Sequence, residues 1–334
     1  MESFADIYRL ISAFRAGDDA ARADCSAREP TLTKPAGSLG RLEEIALHLS
    51  SWQGFHPPRL ERVRACVFAG NHGVAALGVS AFPAAVTEQM VINFQNGGAA
   101  INQLCRVFGL DLSVEDIDLD RPTADFTKGP AMSEEECLDA FAIGFDAIEE
   151  DADLVILGEM GIGNTTSAAA LCLALFGGQA EDWTGRGTGI GGDQLRRKID
   201  VVRKGVAANP TDDPLQRLAA LGGRELAAIV GAVAGARLKR IPVVLDGYVC
   251  TAAAAVLHAI RRDALDHCLI GHVSAEPGHR LLLEKLEKRP LLDLDMRLGE
   301  ASGAAAAMGL IKAAVACHVG MATFGEAGVS NKAH

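Results

Sequence analysis

Residues 158–166 read Gly-Glu-Met-Gly-Ile-Gly-Asn-Thr-Thr and combine an acid with three glycines in front of a predicted helix. The apolar run 152–157 before them is typical of a buried parallel strand, and residues 167–176 after them are strong helix formers. Such a loop favours phosphate, because its free N–H groups and the helix dipole both attract an anion. Glu159 follows the carboxyl end of the strand, where open parallel sheets bind ligands.

Two interpretations of this loop remain open from its residues alone. In one, the loop holds a phosphate while Glu159 faces the reacting end of the same ligand. In the other, the loop is a tight turn whose glycines permit close packing, and Glu159 is solvated. A Walker A loop is excluded because no Gly-Lys-Ser/Thr follows, and the match to the dinucleotide fingerprint is loose. Nucleoside triphosphates and NAD are therefore not the first candidates.

Two further loops could contribute to the same site. The polar loop 70–73 follows the apolar run 63–69, so Asn71 and His72 could be site residues or turn residues that bond their own backbone. Residues 183–192 form a second glycine-dense loop that leads into a basic helix. One lysine of that helix could reach the phosphate; alternatively, the basic side chains form a solvated face.

The segment 321–330 places Glu326 among small and apolar residues. This setting predicts a desolvated carboxylate with a raised pKa, and hence a general base, although a frayed tail is the alternative. His272 and His279 could begin a metal site, but a third ligand at a recognisable spacing is lacking. The sequence therefore predicts no metal.

Composition limits the class of protein. The chain has 334 residues, of which 49% are hydrophobic and 22% charged, as in a folded protein with a sizeable core. A net charge of −11 disfavours nucleic-acid binding. The eight cysteines lie far apart without a Cys-x-x-Cys motif, which indicates reduced thiols in a cytoplasmic protein. No signal peptide is apparent, and the apolar runs near 225–236 and 303–311 are too short to predict a membrane span.

Alternation of apolar runs and helical patterns predicts the fold. We count five strand–loop–helix units, with strands at 63–69, 112–119, 152–157, 241–245 and 268–270. This alternation favours an α/β fold with a doubly wound parallel sheet and flanking helices. Residues 1–60 read as helical and polar, and a small-residue helix is predicted from about 301 to 318.

Taken together, these motifs resemble the nicotinate-nucleotide–dimethylbenzimidazole phosphoribosyltransferases of cobalamin nucleotide-loop assembly. The matching stretches are 34–40, 69–74, 87–91, 158–166, 185–189, 245–247, 296–300 and 324–327. They run through nearly the whole chain in the order of that family. The resemblance implies an α/β domain at 61–299, a small helical domain built from 1–60 and 300–334, and a homodimer.

The family's reaction moves the phosphoribosyl group of nicotinate mononucleotide to a nitrogen of 5,6-dimethylbenzimidazole. Configuration inverts from β to α, and the products are α-ribazole 5′-phosphate and nicotinate. The attacking base loses a proton, and the resemblance assigns that proton to Glu326. Glu159 matches a second acid near the ribose, where a carboxylate stabilises oxocarbenium-like charge. Nicotinate leaves as a neutral pyridine ring without a proton donor, and no cofactor is implied.

The resemblance also assigns binding residues. Those implied to hold the 5′-phosphate are Gly161, Gly163, Asn164, Thr165, Gly187, Thr188, Gly189 and Lys198. Those implied to form the benzimidazole slot are Ser80, Phe82, Gln89, Met160 and Phe324, and Ser302 is implied to contact the nicotinate. Alternatives are a transferase for another lower-ligand base, such as adenine or a phenol, and a nucleotide-binding regulator without chemistry. The presence of both Glu159 and Glu326 favours an enzyme, since a binder needs neither.

Overall fold

The computed structural model describes residues 1–330 and is built around a six-stranded sheet in which every neighbouring pair is parallel. Its strands are β1 (Val63–Ala69), β2 (Asp111–Asp116), β3 (Leu154–Met160), β4 (Val243–Leu245), β5 (Cys268–His272) and β6 (Pro290–Leu292). The order across the sheet is β2-β1-β3-β4-β5-β6. After β2 the chain crosses back to the other side of β1 and adds β3 to β6 there. The predicted doubly wound parallel sheet is therefore confirmed.

Besides shifts at the ends of β2, β4 and β5, two strands differ from the sequence prediction. The short strand β6 was missed because it begins with a proline, which weakens a strand signal. Strand β3 continues through Met160, since Gly158 and Glu159 still pair with Val67 and Phe68 of β1. Glu159 is therefore a residue of the strand rather than of the following loop.

Helices cover both faces of the sheet. In residues 1–330 they are α1 (Phe4–Ser12), α2 (Asp19–Arg28), α3 (Arg41–Gln53), α4 (Val86–Gln95), α5 (Ala100–Phe108), α6 (Glu134–Asp146), α7 (Asn164–Phe176), α8 (Ala180–Trp183), α9 (Gly192–Ala208), α10 (Pro214–Leu221), α11 (Arg224–Lys239), α12 (Tyr248–Ile260), α13 (Pro277–Lys285), α14 (Ser302–Gly320) and α15 (Phe324–Ala327). Alternating strand side chains supply two cores, one packed on α6, α7, α11 and α12 and the other on α3, α5 and α14.

Helix α14 is, among the described residues, the one helix with the length and composition that a membrane span would need. The apolar run 303–311 of the sequence analysis lies within this helix. The helix nevertheless packs on the sheet, with Ala304, Met308 and Ile311 buried in the second core. Both chain ends thus share cores with the sheet: α1 lies in one, and α3 and α14 lie in the other. The division into two domains stays a prediction.

Candidate active site

A cavity of about 630 Å³ lies at the carboxyl ends of three central strands. Met160 ends β3, Gly247 follows β4 and His272 ends β5, and all three line it. The remaining lining residues are Val79, Ser80, Phe82, Val86, Met90, Glu159, Gly161, Ile162, Gly163, Asn164, Thr165, Gly187, Thr188, Tyr248, Val249, Ser274, Glu276, Arg297, Leu298, Gly299 and Glu300. This is the edge at which parallel α/β sheets bind ligands.

The loop after β3 forms one wall of the cavity and leads into α7. Gly163 is the N-cap of α7, with a φ of +99° that a side chain would disfavour. The N–H of Ile162 donates to Thr87 Oγ1 at 3.1 Å, which fixes the loop. The first amides of a helix lack partners within the helix, so this wall is suited to an anion. The side chain of Asn164, the first residue of α7, donates to Glu159 Oε2.

The second glycine loop meets the first at Lys198. Lys198 is fully buried, and its Nζ donates to Thr165 Oγ1 at 2.8 Å and to the Gly185 carbonyl at 3.2 Å. A Cβ on Gly187 would lie 3.0 Å from the same Nζ, so the ammonium sits directly behind two lining residues. Burial lowers the pKa of Lys198 to about 8. The interpretation of Lys198 as part of a solvated basic face is thus wrong. Gly189, which the resemblance assigned to the phosphate, does not line the cavity.

The side chain of Glu159, at the end of β3, lies close to other acidic side chains. Burial, reinforced by the neighbouring carboxylates of Asp246 and Glu225, raises the pKa of Glu159 to about 8. Its solvent exposure is 9%, so the alternative of a solvated acid in a plain turn is excluded. The sequence analysis missed Glu300, another acid in the lining; burial and Asp246 raise its pKa to about 7.

Asp246 holds the start of α14 against the cavity. Its Oδ1 accepts the N–H of Ala304 at 2.8 Å and lies 3.7 Å from His272 Nε2. The side chain is fully buried, and burial raises its pKa. Because α14 starts just after Glu300, this contact also positions Glu300.

His72 and Asn71 support the first loop from behind. His72 Nε2 lies 2.5 Å from Glu225 Oε1, and Ser167 Oγ lies 3.0 Å from His72 Nδ1. A Cβ on Gly161 would come within 2.9 Å of Glu225 Oε1, so this buried pair packs beneath the loop. Asn71 donates to the distant carbonyl of Leu119. Neither residue lines the cavity, and neither side chain bonds the backbone of its own turn.

Glu326 lies outside this cavity in the chain. Thr323 donates from its N–H and its hydroxyl to Glu326 Oε2 at 2.8 and 2.9 Å, and Glu326 returns its N–H to Thr323 Oγ1. These hydrogen bonds lower the pKa of Glu326, whose side chain is exposed. The expectation of a desolvated carboxylate with a raised pKa is therefore wrong for the isolated chain. The assignment of Glu326 as the base stays a prediction.

Comparison with known proteins gives the family. A family model described as "Phosphoribosyltransferase" matches residues 15–329. A nicotinate-nucleotide–dimethylbenzimidazole phosphoribosyltransferase from Cereibacter sphaeroides is 55% identical over 330 residues, which cover 98% of each chain. One of the same name from Ruegeria pomeroyi is 57% identical over 322 residues, covering 96% of each. The chain belongs to this phosphoribosyltransferase family.

The fold of a solved relative agrees with this membership. The crystal structure of the phosphoribosyltransferase of that name from Thermus thermophilus has a TM-score of 0.88 to this chain and is 43% identical to it. The match covers 94% of this chain and 100% of the other. A phosphoribosyltransferase must hold a phosphate, a ribose and two exchanging bases, and the walls of the cavity offer candidates for these contacts.

The apolar wall of this phosphoribosyltransferase agrees in part with the predicted base contacts. Ser80, Phe82 and Met160 line the cavity, whereas Gln89, Phe324 and Ser302 do not. The sequence analysis missed the apolar lining residues Val79, Val86, Met90, Val249 and Leu298. The hydroxyl of Ser302 donates to the Gly299 carbonyl at 2.7 Å, where it stabilises the turn into α14.

Arg297 brings a guanidinium to the cavity and was missed as a site residue. Its Nη1 donates to the Gly187 carbonyl at 3.0 Å, while Gly187 N–H donates to Glu276 Oε1 at 2.8 Å. The second glycine loop is thus held between a cation and an acid from two later segments. A guanidinium at this position is suited to a carboxylate or phosphate ligand.

Proposed function

We propose that the chain transfers the phosphoribosyl group of nicotinate mononucleotide to 5,6-dimethylbenzimidazole with β-to-α inversion, giving α-ribazole 5′-phosphate and nicotinate. One observation carries the proposal: a single cavity combines a helix N-terminal loop suited to phosphate, three buried acids and an apolar wall. The names of the relatives supply the two substrates.

In this proposal the 5′-phosphate lies on Gly161, Gly163, Asn164 and Thr165, with Gly187 and Thr188 above it. Lys198 then contributes its charge through the Thr165 hydroxyl, and a phosphate anion beside it would favour the protonated ammonium. Asn164 also donates to Glu159, so the phosphate loop and the acid are directly linked.

Glu159 lies in β3 just before the same loop, where it would face the ribose. In its ionised form it would stabilise the positive charge that develops at the anomeric carbon as nicotinate departs. The cationic pyridinium of the bound substrate would itself favour that ionised form, because an opposite charge lowers the pKa of an acid.

We further propose that the protein is a cytoplasmic homodimer in which Glu326 of a second copy accepts the proton from the attacking base. Two observations support this arrangement. Glu326 is exposed and outside the cavity of its own chain, and the cavity lining carries the exposed apolar side chains of Phe82 and Leu298, which a second copy could cover. The cysteines are free, and all except Cys317 are buried, as expected in a reducing compartment.

The direct test is to incubate the protein with nicotinate mononucleotide and a panel of bases, and to identify the products by mass. We expect a riboside phosphate of 5,6-dimethylbenzimidazole and free nicotinate in equal amounts. A His258→Ala variant, altered away from the cavity, should react normally, while Glu159→Gln should not. Preference for adenine or a phenol would assign the chain to a related transferase, and binding without any product would favour a regulator.

A further inference from the structure

Three potential metal ligands meet far from the cavity, where the two ends of the chain come together. Cys25 lies on α2, His56 lies between α3 and β1, and His318 lies near the end of α14. One donor atom from each residue lies within 4.8 Å of the other two. Cys25 and His318 are buried, while His56 is half-buried.

The distances within this cluster approach those of a tetrahedral zinc site. Cys25 Sγ lies 3.4 Å from His318 Nε2, and the two Nε2 atoms of His56 and His318 are 2.9 Å apart. Zinc bond lengths place tetrahedral sulfur and nitrogen ligands about 3.5 Å apart and two nitrogen ligands about 3.3 Å apart. Separating the two imidazoles by a few tenths of an ångström would bring their distance to that value, and the third pair, Cys25 and His56, lies within 4.8 Å.

Glu29 fixes the tautomer of His318 that a metal requires. His318 Nδ1 donates to Glu29 Oε1 at 2.6 Å, so the lone pair of Nε2 faces His56 and Cys25. The same carboxylate pairs with Lys34 at 2.7 Å, and Lys34 pairs in turn with Glu43 at 2.8 Å. A carboxylate behind a ligating histidine is the usual support of such a ligand, since it orients the ring and increases its basicity.

The charges around the cluster suit a divalent ion. Cys25 as a thiolate and Glu29 as a carboxylate together balance two positive charges, and Lys34 is balanced by Glu43. His56 is half-buried, so the cluster lies near the protein surface. One thiolate and two imidazoles form a donor set that zinc prefers over magnesium or calcium.

We propose that Cys25, His56 and His318 bind a zinc ion, with Glu29 orienting His318. On binding, the Cys25 thiol releases its proton to solvent as the zinc–thiolate bond forms. None of the three ligands lines the cavity, and binding needs no redox step. The sequence analysis missed this zinc site because its three ligands lie far apart in the sequence. They are brought together only by the packing of α14 on the N-terminal helices.

The ion would fasten the C-terminal segment to the N-terminal helices. Arg28 already donates to the carbonyls of His318 and Met321 at 2.9 and 3.1 Å, and Leu32 bridges to Thr323. Glu326 follows only three residues after this bridge. Zinc at His318 would therefore restrain the segment that carries Glu326.

The test uses the untagged full-length protein, washed with a chelator and then titrated with zinc against a chromophoric competitor. We expect one zinc ion per chain in the wild type, and an affinity at least about tenfold lower in Cys25→Ser and His56→Ala. Cobalt(II) serves as a second probe: the wild type should show a thiolate-to-cobalt charge-transfer band that Cys25→Ser lacks.

Matched controls separate metal binding from stability. Cys105→Ser and His258→Ala alter a buried cysteine and a half-buried histidine elsewhere and should retain zinc affinity. Zinc should raise the thermal midpoint of the wild type and of both controls, but not that of His56→Ala, whose ligand lies partly at the surface and whose apo form should fold. Wild-type affinity equal to that of His56→Ala, or a cobalt spectrum without the thiolate band, would overturn the proposal.

Discussion

At the scale of the residue, the cavity concentrates acids where burial opposes their charge. Near neutral pH in the free chain, Glu159, with a pKa of about 8, is mostly protonated, and Glu300, with a pKa of about 7, is close to half protonated. Ionising a buried acid lowers the free energy of unfolding, and functional sites commonly carry this cost. These residues therefore link the activity and the stability of the protein to pH.

Glu159→Gln should stabilise the protein above neutral pH while removing activity. The pKa of Glu159 is raised from 4.5 to about 8 on folding, so the folded state binds more protons between these values. Stability from this group is therefore full below about 4.5 and falls as the pH rises towards 8. We expect Glu159→Gln to gain about 1–3 kcal/mol over the wild type at pH 8.5.

Thermal unfolding at pH 5 and pH 8.5 checks this difference, because the gain should nearly vanish at the lower pH. Turnover by the wild type should rise as the pH increases through 7 to 8, where the two acids ionise. A stability difference independent of pH would show that Glu159 ionises normally in the fold.

Lys198→Met should weaken the binding of nicotinate mononucleotide without unfolding the protein. The ammonium is buried behind Thr165 and Gly187, and its removal relieves a buried charge. Loss of a charged hydrogen bond predicts roughly 10–100-fold weaker binding, measured by calorimetry. Lys204→Met changes an exposed lysine of the same helix and should bind normally. Equal affinities in both variants would place the phosphate elsewhere.

At the scale of the element, the contact between β3 and the start of α14 sets the geometry of the acids. A Cβ on Gly158 would lie 2.1 Å from the Ala301 nitrogen, so the two backbones pack without room for a side chain. The N–H of Glu300 donates to the Glu159 carbonyl at 3.2 Å. The two acids are thus positioned by one strand and one helix that meet at a glycine.

Gly158→Ala should displace α14 and with it Glu300. Because the clash is with backbone rather than with a flexible side chain, we expect a loss of about 1–3 kcal/mol of stability and a lower turnover. Gly320→Ala, at the other end of α14, has open space around its Cβ and should change little. Thermal unfolding and initial rates measure both effects. Wild-type behaviour of Gly158→Ala would show that the helix start can shift freely.

At the scale of the whole molecule, the cavity and Glu326 lie in different regions of one chain. In a closed homodimer the two copies contact each other through the same surface. Each of the two cavities would therefore receive the C-terminal segment of the other copy. Under this arrangement neither chain is complete by itself, and the proton acceptor arrives with the second copy.

Glu326→Gln alone should lose roughly 2–4 orders of magnitude in turnover, the scale of a general base. Mixing the inactive variants Glu159→Gln and Glu326→Gln should then restore activity, since half of the sites in a mixed dimer combine intact residues. Random pairing predicts about one quarter of the wild-type rate. Each variant refolded alone is the control. A mixture that stays inactive would show that Glu326 acts within its own chain or not at all.

The sequence by itself determined the alternation of strands and helices, because apolar runs, helix formers and glycines act over a few residues. It therefore predicted the parallel sheet and the glycine loop at the end of β3, and the family resemblance added Lys198 as a candidate. The sheet and the loop depend mainly on neighbours along the chain, and Lys198 depends on the family resemblance.

Only the tertiary structure decided the environment of each acid and the joining of distant residues. The raised pKa of Glu159 comes from burial beside Asp246 and Glu225, which lie far from it in the sequence, whereas Glu326 is exposed despite its apolar neighbours. Cys25 and His318 likewise meet only where α14 packs on α2. Desolvation and ligand geometry depend on contacts across the fold, and local patterns of residues do not contain them.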